Sequence, residues 1–233
     1  MQRVKRRLRR ILNKTVETVV LPLLPSKYTN LLQCSKLGLW DRYFIDAETA
    51  MQKQWDTIIW PLIKSFDFDA VLELAPGAGR NTERLCAISK KIYAVDYNSY
   101  ALEQCQKRLG SSYRGCGIEY HVNNGKSLSV IQDDAVSAIY CWDAAVHFDR
   151  SILKSYLREF SRVLRAAGRG FVHHSNLGDT ASKNIKKNPH WRSNVSKESF
   201  AEMCEANGLR VMAQVDIPWG NIVDCGTLFE KRP

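Results

Sequence analysis

The segment from residue 71 to residue 85, VLELAPGAGRNTERL, constrains the fold of this 233-residue chain more than any other. It opens with a short apolar run that is typical of a buried parallel strand. A turn containing Gly77 and Gly79 follows, and a helical pattern begins near residue 81 or 82. Strand, glycine turn and helix is the arrangement in which a backbone closely approaches a nucleotide-like ligand. Glu73 places a carboxylate inside the apolar run, which indicates contact with a cationic or hydroxylated ligand.

The next acid along the chain stands at a spacing that suits a ribose. A second apolar run, residues 92–95, ends at Asp96, 19 positions beyond Gly77. A βαβ unit places at about that distance an acid that accepts hydrogen bonds from ribose hydroxyls. A dinucleotide site would also have a third glycine in the turn, but Thr82 stands there, which argues against a pyrophosphate cradle.

The remainder of the chain alternates strands with helices and then closes with two strands. Strand patterns alternate with helical ones five times, and this order predicts a doubly wound, mostly parallel sheet with a terminal antiparallel hairpin and helices on both faces. Gly168 is predicted to end the helix that follows the fourth strand, with Asp149 as its N-cap. The predicted helices cover residues 100–109, 152–164 and 197–207, and the later strands cover 118–122, 135–142, 170–174, 209–218 and 222–229.

These features resemble the class I S-adenosylmethionine (SAM)-dependent methyltransferases, whose first motif is an apolar run, an acid and a glycine-rich turn. Here Ala75 stands in place of the usual first glycine. The resemblance spans residues 66–229 and implies a seven-stranded α/β sheet with SAM as cofactor. An NAD enzyme with the same opening is the alternative.

The resemblance also implies which residues contact the cofactor. Glu73 suits its amino group, Arg80 its carboxylate and Asp96 its ribose, while the glycines allow close approach of the backbone. The family commonly has an acid that contacts the adenine amino group where Asn124 stands, and the asparagine carbonyl oxygen offers a weaker substitute; a plain Asn-Gly turn is the competing interpretation. The predicted cofactor-binding residues are Glu73, Ala75, Gly77, Gly79, Arg80, Asp96, Asn124, Gly125 and Trp142.

Candidate bases follow the fourth and fifth strands. A hydroxyl acceptor loses a proton during methyl transfer, and a positioned base typically contributes about 10²–10⁴-fold to the rate. Asp143 and His147 follow the fourth strand, and His173 and His174 end the fifth. Side chains alternate along a strand, so at most one of the two adjacent histidines faces the cleft. Hydrogen-bonded structural roles are the alternative for each histidine. No Cys, His or Asp set has metal-ligand spacing, so no metal is predicted; convergence of His173, His174 and Asp143 on a metal in the folded chain is the alternative.

The insert from residue 177 to residue 195 is predicted to bind the acceptor. Trp191 and Arg192 place an aromatic ring beside a guanidinium, which suits a sugar ring or an anionic group; a solvated basic loop is the alternative. The segment after the fourth strand reads Cys-Trp-Asp-Ala rather than the Asn-Pro-Pro-Tyr-like signature of the family's nucleic-acid methylators. We therefore expect O-methylation of a small-molecule or glycan acceptor. An RNA methyltransferase and a non-catalytic SAM-binding module are the alternatives.

Three parts are expected in the chain: a basic amphipathic helix (residues 1–25), a leading helical cap (26–66) and the SAM-binding domain (67–233). Seven basic residues precede the first acid, Glu17, and apolar residues recur at helical spacing. Residues 1–21 are therefore expected to contact an anionic membrane surface, so that the acceptor is lipid-linked; packing on the domain and contact with nucleic acid are the alternatives. No apolar run reaches the roughly 18 residues that span a bilayer. Seven cysteines without paired spacing indicate a reducing, cytoplasmic compartment, with the protein peripheral to the inner face of a membrane. The oligomeric state stays open.

Overall fold

The computed structural model describes residues 48–181, 188 and 191–232. The chain divides into two compact units, residues 1–52 and 53–233, and the fold below is that of the second. The amphipathic helix predicted within residues 1–25 and the first part of the leading segment, up to residue 47, lie outside the described residues. Most of the basic stretch of the insert, residues 182–187 and 189–190, also lies outside them.

One sheet organises the second unit. Its strands stand in the order β3-β4-β2-β1-β5-β6-β8-β7. The inner strands from β4 to β6 pair in parallel, and β6, β8 and β7 pair antiparallel. This arrangement confirms the predicted doubly wound sheet with a terminal hairpin. The strands are β1 (Ala70–Leu74), β2 (Lys91–Asp96), β3 (Ser112–Tyr113), β4 (Cys116–Val122), β5 (Val136–Cys141), β6 (Leu164–His174), β7 (Leu209–Trp219) and β8 (Ile222–Lys231).

Two details of the sheet differ from the prediction. An eighth strand, β3, adds a two-residue antiparallel edge to β4 where seven strands were expected. Strand β6 begins at Leu164, not near residue 170, so Gly168 lies inside the strand and does not end the preceding helix. The reason is that Leu164 is already extended and pairs with Val136, and the register then shifts before Ala138. A small residue suits this irregular stretch, because a Cβ at Gly168 would lie 2.8 Å from the Arg165 carbonyl oxygen.

The helices begin and end close to the predicted positions. Asn98 and Asp149 accept hydrogen bonds from the first backbone amides of their helices, and Asp149 is the predicted cap. In the second unit, residues 53–54 are helical, a π-helical turn follows at Trp55–Ile59, and the leading helix ends with Trp60–Ile63, which contains Pro61. The other helices are α1 (Thr82–Cys86), α2 (Ser99–Leu109), α3 (Arg150–Val163) and α4 (Lys197–Glu205), with short 3₁₀ turns at Ala145–His147 and Gly178–Thr180.

Apolar packing on both faces buries the centre of the sheet. Every residue of β1 and β5 is buried. On one face, Phe160 of α3 stacks on Phe229 with ring centroids 6.1 Å apart. On the other, Trp55 packs against Tyr140 at 6.4 Å. The parallel strands are therefore covered on both sides, as their continuous apolar runs require. No helix in the described part of the chain is both long and apolar enough to span a membrane.

A pair of strand glycines tests this packing. A Cβ at Gly170 in β6 would lie 2.2 Å from the Phe229 ring, whereas one at Gly117 in β4 would meet nothing within 4 Å. We expect Gly170→Ala to lower the free energy of unfolding by about 1–3 kcal/mol through overpacking. Gly117→Ala, the matched control, should change it by less than about 1 kcal/mol. Urea unfolding of both variants measures the difference, and equal stabilities would contradict the packing described for β6 and β8.

Candidate functional site

The carboxyl ends of the inner strands meet at one edge of the sheet. Strand β1 lies between β2 and β5. The chain therefore builds β2 and β4 on one side of β1 and then crosses to the other side to form β5 and β6. In open α/β sheets this reversal of strand order leaves a crevice beyond the strand ends, where ligands bind. The residues that end β1, β2, β5 and β6 therefore border the candidate site.

The turn after β1 adopts the left-handed backbone that its sequence suggests. Ala75, Gly77 and Gly79 have φ values of 58°, 58° and 86°. A Cβ at Gly79 would lie 2.7 Å from the sulfur of Cys105 in α2, so this glycine serves both the turn and its packing. Ala75 adopts the same backbone with a side chain, and its N–H is fixed by the Val95 carbonyl at 2.7 Å. The turn is thus held against β2 and α2 with its backbone close to the strand ends.

Two buried carboxyls lie at the ends of β1 and β2. Glu73 is 2% exposed, and its Oε2 atom has no hydrogen-bond partner among the described residues. Burial raises the pKa of Glu73 to about 8, against the opposing effects of a Thr82 hydrogen bond and the charge of Arg80. Asp96 accepts hydrogen bonds from the N–H groups of Asn98 (2.9 Å) and Gly77 (3.4 Å), and burial raises its pKa to about 6. A ligand cation or hydroxyl at this position would stabilise the ionised forms of both carboxyls.

Arg80 and Asp143 form an ion pair across the crevice. The Arg80 Nη2 atom lies 3.0 Å from Asp143 Oδ2, and both side chains are mostly buried. Asp143 has a φ of 57°, an uncommon conformation for a residue other than glycine. Arg80 was predicted to hold the cofactor carboxylate and Asp143 to act as a base. The structure gives each a protein partner, so Asp143 is a charged, oriented group and not the best placed base.

His173 of β6 contacts the backbone of Asp143, in the loop of residues 143–147 that follows β5. Its Nδ1 atom accepts a hydrogen bond from the Asp143 N–H at 3.3 Å, and its Nε2 atom lies 3.3 Å from Asp224 Oδ2. The ring is fully buried and packs on Trp142 with centroids 4.5 Å apart. Both ring nitrogens therefore face protein groups, and the position of His173 favours the structural role over the predicted catalytic one.

His174 faces away from the site. Its Nδ1 atom donates to the Ser175 carbonyl at 2.8 Å, its Nε2 atom accepts from the Thr227 hydroxyl at 2.7 Å, and the ring stacks on Phe200 with centroids 3.9 Å apart. Burial lowers its pKa to about 3. The predicted catalytic role of His174 is contradicted by this geometry, because strand alternation points its ring into the core below α4.

His147 is the exposed histidine of the site. It ends the 3₁₀ turn that follows β5, and its Nδ1 atom lies 3.0 Å from the Trp191 carbonyl oxygen. A carbonyl only accepts, so Nδ1 carries the proton and Nε2 carries the lone pair. The predicted base His147 thus presents a basic nitrogen in a defined tautomer.

The two predicted acceptor-binding residues of the insert have different environments. Trp191 is 44% exposed and has a φ of 54°. Arg192 is 3% exposed, and its Nη2 atom lies 2.6 Å from Oδ2 of the buried Asp224. Arg192 was predicted to contact the acceptor, with a solvated basic loop as the alternative, and the structure instead directs its guanidinium into the terminal hairpin.

The predicted adenine contact also differs. The Asn124 side-chain oxygen accepts hydrogen bonds from the N–H groups of Lys126 (3.0 Å) and Ser127 (2.9 Å), which is the plain turn left open as the alternative. Gly125 continues this turn with a φ of 77° and lies beside Tyr97, whose ring is 43% exposed. Sequence patterns missed Tyr97, although its place directly after Asp96 is a usable signal for a base-stacking ring.

Trp142 lies at the inner end of the crevice. It is 3% exposed, and its indole N–H has no hydrogen-bond partner among the described residues. The ring packs on Phe171 and Trp219 as well as on His173. Trp142 therefore forms an apolar wall with one unused donor, next to the Arg80–Asp143 pair. The described part of the chain contains no group of three or more His, Cys, Asp or Glu side chains that could hold a metal ion.

Comparison with known families decides what kind of site this is. Residues 71–168, which include β1, the glycine turn and β5, match the family model described as a methyltransferase domain. Over these residues the chain matches a methyltransferase domain, and the sheet that contains them has the Rossmann-like order of strands. The cofactor of this domain class is SAM, and the methyltransferase domain holds its glycine turn and acidic strand ends in the order that the resemblance implied.

Solved structures share the fold across most of the chain. A SAM-dependent methyltransferase from Clostridium acetobutylicum is 17% identical with a TM-score of 0.65, covering 83% of this chain and 99% of its own. The PH0226 protein from Pyrococcus horikoshii is 20% identical with a TM-score of 0.63, covering 78% and 91%. A SAM-dependent methyltransferase from Methanosarcina mazei is 13% identical with a TM-score of 0.57, covering 74% and 97%. No protein of curated function matches the sequence.

The residues at the strand ends fit SAM by charge and shape. Asp143 is matched by Arg80, whereas Glu73 and Asp96 have raised pKa values, and the cationic amine and sulfonium of SAM would stabilise the ionised forms of these two carboxyls. The unpartnered Glu73 oxygen suits the amine, Asp96 suits the ribose hydroxyls, and the exposed Tyr97 ring suits the adenine. The fit therefore rests on an orphaned buried carboxyl as well as on the motif.

The raised pKa of Glu73 predicts a pH dependence of stability. Between pH 4.5 and about 8, the unfolded chain ionises this carboxyl while the native state retains its proton. The contribution of Glu73 to the free energy of unfolding therefore falls as pH rises through this window, by at most about 1.4 kcal/mol per pH unit. Glu73→Gln should remove that fall, whereas Glu103→Gln on the exposed face of α2 should keep it. Urea unfolding across the window measures both, and a wild-type pH profile in Glu73→Gln would contradict the assignment.

Asp96 should contribute to cofactor affinity. We expect Asp96→Ala to weaken binding of S-adenosylhomocysteine by about 1.5–3 kcal/mol, the value of hydrogen bonds to a charged group. Asp179→Ala, at a side chain that is 96% exposed, is the matched control and should bind as wild type. Calorimetric titration of both variants gives the comparison. Equal affinities would remove Asp96 from the cofactor site.

Proposed function

We propose that this protein transfers a methyl group from SAM to a hydroxyl oxygen of a small-molecule or glycan acceptor, with His147 as the general base. The observation that carries the proposal is the hydrogen bond from His147 Nδ1 to the Trp191 carbonyl. It fixes the tautomer in which Nε2 accepts a proton, and it does so on an exposed residue at the carboxyl edge of the sheet.

Bound SAM supplies a methyl group activated by a positively charged sulfur. The protein must then hold an acceptor oxygen in line with that methyl and accept its proton. Among the four predicted bases, His174 is in the core, His173 faces protein at both nitrogens, and Asp143 is paired with Arg80. His147 alone of these four combines exposure with an available lone pair, which supports a base-assisted reaction at a hydroxyl.

The acceptor class is supported by the ring next to this base. Trp191 is large, flat and 44% exposed, and its carbonyl is the group that orients His147. An indole face of this kind stacks on a sugar or an aromatic ring. Residues 1–21 combine basic residues with apolar residues at helical spacing. From this pattern we also propose that the acceptor is lipid-linked and that the protein acts at the cytoplasmic face of an anionic membrane.

Methyl-labelled SAM and a fractionated lysate test the acceptor class. The proposal expects label in sugars, lipids or other small hydroxyl compounds. Label in RNA alone would favour the RNA methyltransferase that uses the basic N-terminal segment for phosphate contacts. Binding of S-adenosylhomocysteine without transfer to any fraction would favour a non-catalytic SAM-binding module.

His147 is the residue whose replacement should separate catalysis from cofactor binding. We expect His147→Gln to lower the rate of label transfer by about 10²–10⁴-fold, with unchanged affinity for S-adenosylhomocysteine. Protein groups packed around the ring lower the pKa of His147 below 6.5, so the wild-type rate should rise with pH and level off by neutrality. His121→Gln on β4 is the matched control. Full activity of His147→Gln would exclude this histidine as the base.

A further inference from the structure

A buried carboxylate in the terminal hairpin is the strongest feature that the proposed reaction leaves unexplained. Asp224 of β8 is fully buried and belongs to no sequence motif. The Arg192 Nε atom lies 3.1 Å and 3.0 Å from its two oxygens, and Nη2 lies 2.6 Å from Oδ2. His173 Nε2 lies 3.3 Å from the same Oδ2. Burial works to raise the pKa of Asp224, but the hydrogen bonds and charge of Arg192, together with the nearby His173 ring, lower it.

One path leads from this carboxylate to the proposed base. Arg192 is the middle residue of a segment whose backbone contacts the 3₁₀ turn after β5 at two points. The Trp191 carbonyl accepts the hydrogen bond from His147 Nδ1 at 3.0 Å, and the Ser193 N–H donates to the Val146 carbonyl at 2.9 Å. The Asp224–Arg192 ion pair therefore anchors the segment that orients His147.

A second path leads to the beginning of the same loop. Since the Asp143 N–H donates to His173 Nδ1, the ring proton of His173 lies on Nε2, which is 3.3 Å from Asp224 Oδ2 without forming an aligned hydrogen bond. The hydrogen bond from the Asp143 N–H to His173 Nδ1 fixes the backbone of Asp143, a residue that has a φ of 57° and whose side chain pairs with Arg80. The same carboxylate is thus connected to both ends of residues 143–147.

Stability alone does not account for a charge at this place. A buried ion pair costs its partners their hydration, and apolar residues of similar volume often stabilise a core equally well. A carboxylate does something that an apolar side chain cannot, because its hydrogen bonds fix the orientation of the Arg192 guanidinium and its charge favours the His173 tautomer with the proton on Nε2.

We propose that Asp224 is a positioning residue that, through Arg192 and His173, holds the loop of residues 143–147 so that His147 presents Nε2 to the acceptor. The catalytic consequence rests on the proposed function of His147. The consequence for the tautomer of His147 does not, and it can be measured without any acceptor.

The test is nitrogen NMR of the full chain labelled in its five histidines, recorded with S-adenosylhomocysteine at mildly alkaline pH. His147→Gln assigns the His147 signals. We expect the wild type to show His147 in the Nδ1–H tautomer and Asp224→Asn to show a mixture of tautomers. Glu230→Gln is the matched control, because it removes a charge from the same strand where Glu230 pairs with Arg169 and Arg210. It should leave His147 unchanged.

The rate of label transfer from methyl-labelled SAM to the small-molecule extract gives a second readout. Asp224→Asn should lower it on the order of 100-fold, the effect of a small misplacement of a catalytic group. Affinity for S-adenosylhomocysteine should stay as in wild type. In a His147→Gln background the same substitution should have no further effect on rate. Full additivity would overturn the proposal that Asp224 acts through His147.

A conservative change keeps the test decisive if Asp224→Asn does not fold. Arg192→Lys retains the positive charge but removes the two-pronged contact, and it should also disturb the His147 tautomer. A wild-type His147 spectrum in the folded variant, whether Asp224→Asn or Arg192→Lys, would overturn the proposal. The NMR result does not depend on whether His147→Gln is inactive. Full activity of His147→Gln would therefore reject His147 as the base, whereas an unchanged His147 tautomer in the Asp224 or Arg192 variant would reject the positioning role of Asp224.

Discussion

The parallel pairing of β1 with both β2 and β5 is the constraint on which the rest of the structure depends. It places the ends of three strands side by side, so Glu73, Asp96 and the loop containing Asp143 converge although they are far apart in sequence. The pairing requires β1 to be buried on both faces, which is why its single carboxyl carries a raised pKa. Cofactor chemistry at this edge is a consequence of that topology.

The buried carboxyls of this region differ mainly in their partners. The difference separates a side of the site that suits the cofactor from a side that we propose binds the acceptor. Glu73 has an oxygen without a partner among the described residues and suits a cationic ligand. Asp143 is matched by Arg80 within the protein, and Asp224 by Arg192. The cofactor side thus offers carboxyls that a cationic ligand would stabilise. On the proposed acceptor side the carboxylates are paired with arginines within the protein, and the groups presented to a ligand are the neutral imidazole of His147 and the exposed indole of Trp191.

Sequence patterns predicted the order of the elements and the left-handed glycine turn after β1, because strands, glycine turns and caps depend on nearby residues. The short edge strand β3 and the early start of β6 depend on pairing with distant strands, and periodicity does not report that. Some acceptor-side predictions differ from the structure for a similar reason. Arg192 was predicted to bind the acceptor, but its partner Asp224 lies 32 positions away, and the positions of His173 and His174 depend on which face of β6 each one takes.

The central claim is that this edge of the sheet binds SAM. Calorimetric titration of the full chain with S-adenosylhomocysteine, beside an identical titration with NADH, tests it most directly. The structure predicts saturable binding of S-adenosylhomocysteine with one site per chain and no heat from NADH, since the turn lacks the third glycine of a pyrophosphate cradle. Binding of NADH without binding of S-adenosylhomocysteine would contradict the account.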